Sequence, residues 1–226
     1  MAEHRNPGRP SARKSLTEED RDERDVMRLF ALCDAVFAIA MTLLALDLKV
    51  PDLGASPDDA TLRRALADLE PRYLSFLVSF YAIASYWRRH REEMRSVRVS
   101  PPVLVRLTLF LLLTISVLPF VSNVLGSYGA GIAVAAYAGV NVLAAGTLLV
   151  IRHVVDRVDP PAGEAGRPPR RELWFDLTAF VLAVPAGYVF PGEGPEALIA
   201  LLALSAAVSF AFRRLRGGRA HRRRRS

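Results

Sequence analysis

Charge in this 226-residue chain is gathered into blocks, and the intervals between the blocks are long and nearly free of it. A soluble domain scatters charge along every helix and strand, because each element turns one face to water. Here apolar intervals of 15 to 23 residues carry at most two charged side chains each. The chain is 23% charged overall, so its mean hydropathy of +0.21 is low only because polar ends dilute apolar spans. The pattern excludes an ordinary soluble enzyme.

A bilayer core takes a helix of about 20 apolar residues, within a range of roughly 17 to 25. Six segments are candidates: Leu29–Leu48, Tyr73–Trp87, Leu107–Leu125, Gly129–Ile151, Leu173–Phe190 and Ala197–Phe212. The second and sixth are short and would pass for buried soluble helices if seen alone. Their flanks decide: Tyr73, Tyr86 and Trp87 mark interface depth around the second, and arginines begin abruptly after both. The expected fold is therefore an all-α polytopic membrane protein with six transmembrane helices. Residues 1–25 are expected as a flexible N-terminal segment, 26–213 as the membrane domain and 214–226 as a basic tail.

Lysine and arginine orient the spans. Residues 1–28, 88–105, 152–172 and the tail from Arg213 together carry 25 of them, and the alternate connections carry four. The positive-inside rule then puts both termini in the cytoplasm. Arginine supplies 28 of the 30 basic residues, which suggests GC-rich, bacterial coding and hence a bacterial plasma membrane. The run His221-Arg222-Arg223-Arg224-Arg225 has the charge to bind nucleic acid or anionic lipid. Beside a membrane span it reads more simply as a topology determinant, and no nucleic-acid partner is expected. Residues 57–70, with Leu62, Ala65, Leu66 and Leu69, have the spacing of a short amphipathic helix outside the membrane.

Chemistry-bearing sets are sparse. A single cysteine, Cys33, rules out an intrachain disulfide and a cysteine-based zinc site. His4, His90, His153 and His221 share no metal-ligand spacing, and no nucleophile triad, phosphate loop or dinucleotide fingerprint is present. Ala186-Gly187-Tyr188-Val189 is not the filter sequence of ordinary potassium channels. No enzyme activity, metal or cofactor is expected.

What stands out is charge inside a span. An ionisable group there costs ~2.5–3.5 kcal/mol on insertion scales. Asp34 lies in the first span, and Arg28, six residues earlier, points about 120° away from it on a regular helix. Each therefore needs a partner elsewhere. Trp87 and His90, three apart at the end of the second span, would offer donors at the depth of Asp34. Asp34 either ties two helices together or, through that tie, sets the position of the first span. Ile39, Leu43 and Leu46 form one stripe bordered by Thr42. By periodicity alone, such a stripe is packing against lipid or another helix. Asp47 at the outer end would raise local cation concentration if several copies converged. Ser75 with Ser79, and Ala135 with Gly139, have the spacing of close helix approaches. Pro119 and Pro185 should kink the third and fifth spans.

The stretch from Arg28 through Asp34, continuing as Ala35-Val36-Phe37-Ala38-Ile39-Ala40-Met41-Thr42-Leu43-Leu44 and Leu48-Lys49-Val50-Pro51, resembles the first helix of the transmembrane-protein-175 family. These are lysosomal potassium channels and their prokaryotic relatives. The family pattern Arg-x-x-x-Phe-Ser-Asp is met at Arg28 and Asp34, with Leu32 and Cys33 at the intervening two places. Trp87-Arg88-Arg89-His90 is similar to the end of the second helix, where Arg91 replaces a second His. Leu118-Pro119-Phe120 and Tyr137 are similar to marks of the third and fourth. The resemblance covers about residues 24–150.

That resemblance implies a homotetramer in which helix 1 of each subunit lines a central pore. It implies a constriction at Ile39, a selectivity role for the Thr42 hydroxyl, and further apolar layers at Leu43 and Leu46. Arg28, Asp34, Trp87 and His90 would form the network holding the first helix. Cys33 brings only a weak thiol donor to it in place of a hydroxyl. The implied activity is potassium-preferring cation conduction, with potassium as permeant and the bilayer as partner. A proton or cation carrier titrating Asp34 and Asp47, or a non-conducting membrane scaffold, are the alternatives.

Overall fold

The computed structural model describes residues 10–158, apart from 55, 96, 98–100, 129 and 130. The fifth and sixth apolar segments, Pro185 and the basic tail lie outside the described residues. Five helices follow one another: α1 (Pro10–Leu46), α2 (Asp59–Ala67), α3 (Glu70–Met94), α4 (Pro102–Tyr128) and α5 (Gly131–Val158).

Among the described residues, three helices are long and apolar enough to cross a membrane: Arg24–Leu46 within α1, then α4 and α5. They contain the first, third and fourth apolar segments. The helix α1 begins well before its apolar part, at Pro10, so residues 10–25 are helical where the sequence led us to expect a flexible segment. The physical reason is local. Residues 11–46 contain neither glycine nor proline after the opening Pro10, and a proline is well placed at a helix start. The helix ends in a tightened turn, with the amides of Asp47 and Leu48 reaching back to the carbonyls of Leu44 and Ala45 at 3.4 and 3.2 Å.

Beyond it, Gly54 takes φ 79°, a left-handed conformation, and its amide donates to Asp52 Oδ1 at 3.0 Å. The short helix α2 forms where the amphipathic spacing predicts one. Asp58 caps it by accepting the Thr61 amide at 2.9 Å. Ala65 and Leu69 are buried, whereas Leu62 and Leu66 stay exposed, so only half of the apolar stripe is used.

At 25 residues α3 is long enough to cross a bilayer, but its composition is too polar to count among the apolar spans. The polar groups face inward: Ser75, Ser79, Arg89, His90 and Glu93 are buried, while Leu77, Phe80 and Tyr81 are exposed. That is the reverse of a soluble amphipathic helix. α3 packs against α1, α4 and α5, and α4 packs against α1 and α5. The shared interior holds Phe37 and Leu44 of α1, Ile83 and Tyr86 of α3, Ile115 and Leu118 of α4, and Leu148 and Ile151 of α5.

In lipid, apolar burial alone does not drive helices together, so close packing and interhelical hydrogen bonds must. Both are present. The Ser79 hydroxyl is hydrogen-bonded to Ser122 Oγ at 2.7 Å and to the Tyr137 hydroxyl at 3.1 Å, donating its one proton to one and accepting from the other, and Ser75 donates to the Ser122 carbonyl at 2.7 Å. The Tyr86 hydroxyl donates to Asn141 Oδ1 at 3.0 Å. Gly126 lets α3 and α4 touch: a Cβ there would lie 3.1 Å from the Arg72 Cα. The spacing of Ser75 and Ser79 therefore does mark a close approach. At Gly139 a Cβ would meet nothing within 4 Å among the described residues. α4 runs on as helix through Pro119.

Candidate functional site

The inward face of α1 carries Cys33, Phe37, Ala40 and Leu44, each 2% exposed or less. Its other side is uncovered. Ile39 is 57% exposed, Leu43 42% and Leu46 63%, and Thr42 is exposed between them. Leu32 lies on the same stripe, also exposed. The Thr42 hydroxyl donates to the Ile39 carbonyl at 2.9 Å. With its proton turned back into the helix, its oxygen lone pairs are left for whatever lies outside the stripe.

Asp34 sits at the edge of this uncovered side. Trp87 Nε1 of α3 donates to Asp34 Oδ1 at 2.8 Å. Arg91, one turn further along α3, lies over the Trp87 ring with its guanidinium carbon 5.4 Å from the centroid. So the partner sought for Asp34 on the second apolar segment is Trp87. His90 lies one turn further along α3, between α1 and α4. It is buried, its ring lies 6.4 Å from that of Phe37, and Nε2 is 3.4 Å from the Thr108 hydroxyl of α4. His90 therefore sits between α1 and α4, and Trp87 links α3 to α1. Three residues turn a helix by about 300°, so the two side chains leave α3 about 60° apart, and His90 reaches α4 as well as α1. Arg28 is exposed on the Ile39 stripe, away from Asp34.

Asp47 lies off that stripe. Half-buried, it borders a small crevice lined also by Leu44, Leu48, Arg72, Phe76, Ser122, Asn123 and Gly126. At the opposite end of the bundle a buried ion pair joins α3 to α5: Arg152 Nη1 lies 3.2 Å from Glu93 Oε1. Arg89 is buried one turn before Glu93 on the same helix. The sequence reading missed this pair and the Ser122–Tyr137–Asn141 seam. The available signal was charge and amide groups at i,i+4 within otherwise apolar helices. No group of three or more metal-ligating side chains occurs among the described residues.

Apolar helices around an inward polar seam, with the apolar stripe of one span left uncovered, define a multi-pass helical membrane protein. The pattern of the family described as endosomal/lysosomal potassium channel TMEM175 matches residues 28–119. A potassium channel of Streptomyces collinus is 33% identical over 186 residues, covering 76% of this chain and 89% of that one. A potassium channel of Chamaesiphon minutus is 32% identical over 126 residues, which is 54% of this chain and 62% of that relative. The crystal structure of a lysosomal potassium-selective channel TMEM175 homolog from Chamaesiphon minutus superposes with a TM-score of 0.64 and 25% identity, over 82% of this chain and 98% of that chain. The chain belongs to the TMEM175 family. That is a family of ion channels, not of enzymes, and its members require no resident cofactor.

Proposed function

We propose that this protein is a potassium-preferring cation channel of the bacterial plasma membrane, assembled as a homotetramer with α1 of each subunit lining the pore. The observation that carries the reading is the uncovered stripe of Ile39, Thr42, Leu43 and Leu46 on α1. Four such stripes facing one axis make an apolar throat. A dry throat of that kind imposes a desolvation barrier and gates by dewetting. Potassium gives up its hydration shell more readily than sodium, so the barrier favours potassium. The Thr42 oxygen, its proton donated to Ile39, is turned so that it can accept a partly dehydrated cation.

In this reading α3 is a fourth span whose polar interior is shielded by its neighbours, and the two later apolar segments complete six, with both termini cytoplasmic. The Asp34–Trp87 hydrogen bond, backed by Arg91, holds the cytoplasmic half of α1 against α3. Asp47 borders the outer end, where Arg72 lines the same crevice.

The test is potassium against sodium flux through purified protein in liposomes, with Ile39→Asn alongside. Potassium should pass faster than sodium, and the substitution should raise flux severalfold by wetting the throat. Thr42→Ala should lower the potassium preference. Flux that saturates and is coupled to pH would favour a carrier. No flux of either ion from folded protein would favour a scaffold.

A further inference from the structure

The helix α4 is divided sharply between two faces. Inward, Leu104, Thr108, Leu111, Ile115 and Leu118 are all 1% exposed or less. Outward, Val103, Leu109, Phe110, Leu113, Val117 and Phe120 are exposed, from 38% at Val117 to 69% at Phe120. Arg106 is exposed in the middle of that outward stripe. At about 100° per residue, all six apolar residues point within roughly 60° of it. The exposed hydroxyl of Ser116 at the margin donates to its own helix, to the Leu112 carbonyl at 2.8 Å.

Arg106 is thus a lone cation on an apolar face of a membrane-crossing helix. It lies four residues from the helix start, a rise of about 6 Å. That places its charge near one boundary of the hydrocarbon layer, where a long side chain can extend to the headgroups. The level is confirmed by neighbours: Thr108, half a turn deeper on α4, meets His90 near the end of α3. Exposed basic residues crown the same end, with Arg24 and Arg28 on α1, Arg91 on α3 and Arg95 just after it, and Arg157 on α5. No described residue forms a salt bridge with Arg106. Guanidinium meets a phosphate through two parallel hydrogen bonds, which makes an anion at headgroup depth its natural complement.

We infer that Arg106 holds the phosphate of an anionic phospholipid whose acyl chains lie along the Leu113–Phe120 face of α4. The lipid neutralises the cation at headgroup depth and covers the exposed apolar face beside it. The occupant is an annular lipid at a defined site, distinct from the diffuse attraction of the arginine crown to a negative leaflet.

The test reconstitutes the full chain in vesicles of phosphatidylcholine with phosphatidylglycerol, extracts it mildly and counts retained lipids by native mass spectrometry. Wild-type protein should retain phosphatidylglycerol several-fold above its share of the vesicle. Arg106→Gln should return retention to that share, and Arg106→Lys should keep part of the excess. Arg63→Gln, on α2 outside the bundle, should leave it unchanged. Equal retention by wild type and Arg106→Gln overturns the proposal. So does an Arg106→Cys protein that cross-links through that position to a second copy, which would place protein on this face. Thermal stabilisation by millimolar inorganic phosphate equal to that by phosphatidylglycerol would make the ligand a free anion and likewise overturn it. If Arg106→Gln does not fold, the Arg106→Lys comparison and displacement of the lipid by salt decide. Lipid retention is read without ion flux, so failure of the channel reading leaves this result interpretable.

Discussion

The hydrogen bond from Trp87 to Asp34 spans 53 positions in sequence and joins the two helices whose relative placement sets the uncovered stripe of α1. A bond to a charged acceptor contributes ~1.5–3 kcal/mol where water is excluded, although interhelical bonds in membrane proteins average ~0.6. Trp87→Phe keeps the packing ring and removes the donor. It should lower stability in detergent by about 1 kcal/mol on those figures, measured as a shift in thermal midpoint. Asp34→Asn keeps an acceptor oxygen for Nε1 and should cost less stability, while altering gating through the lost charge. Unchanged midpoints and currents in both would remove the pair from the network. Outside the bundle, Asp58 is held below its ordinary value of 3.8 by the Thr61 hydroxyl first and the Thr61 amide second. A lowered carboxylate value means stabilisation present above the ordinary value and lost as pH falls through the lowered one. Asp58→Ala should therefore speed amide exchange across 59–67 at neutral pH, and the difference from wild type should vanish in strong acid.

Between elements, the largest single commitment is the Glu93–Arg152 pair of α3 and α5. Removing one member of a buried pair leaves a desolvated charge and costs ~3–5 kcal/mol. Glu93→Ala and Arg152→Ala should each lose about that much by chemical denaturation, and the exchanged pair Glu93→Arg with Arg152→Glu should recover part of it. No recovery would mean that other neighbours carry the stabilisation. Gly126→Ala places a methyl 3.1 Å from the Arg72 Cα and 3.2 Å from Ser75 Cβ. α3 and α4 must then part by a few tenths of an ångström, at a cost of ~1–3 kcal/mol. Hydropathy made α4, α5 and the part of α1 from Leu29 readable from sequence, because each is a nearly continuous apolar run. The Asp34–Trp87 link was readable too, since an acid in a span demands a donor at equal depth. Ser122 opposite Ser79, and Arg152 opposite Glu93, were not. They lie 43 and 59 positions apart, and only the rotation of each helix about its axis brings them together. Polarity also misjudged the start of α1, where a stretch without glycine or proline stays helical.

At the scale of the molecule, one side of α1 is left uncovered by the other described helices. α1 is the least buried of the three apolar spans, and its uncovered side mixes apolar groups with Asp34, Arg28 and Thr42. A face meant only for lipid would shed those polar groups, as the stripe of α4 does beyond Arg106. Convergence of several α1 helices would remove the difficulty, because the apolar residues and the Thr42 hydroxyl would then line the throat and Arg28 and Asp34 its wider end. That arrangement makes a geometric prediction. Cys33 is the chain's one cysteine and is buried at 1% exposure, so Cys33→Ala gives a background without thiols. Ile39→Cys in that background puts one thiol per subunit at the proposed constriction. Oxidation or a short bifunctional reagent should then yield covalent dimers and nothing larger, since each subunit holds one thiol, while the mass of the intact oligomer by light scattering should be that of four subunits. Phe120→Cys, on the outward face of α4, should yield only monomer under the same treatment. Monomer from Ile39→Cys in a protein that still runs as an oligomer would move the pore away from α1. Dimers from Ile39→Cys in an oligomer whose mass is another multiple of the chain would keep α1 at the axis and change the stoichiometry.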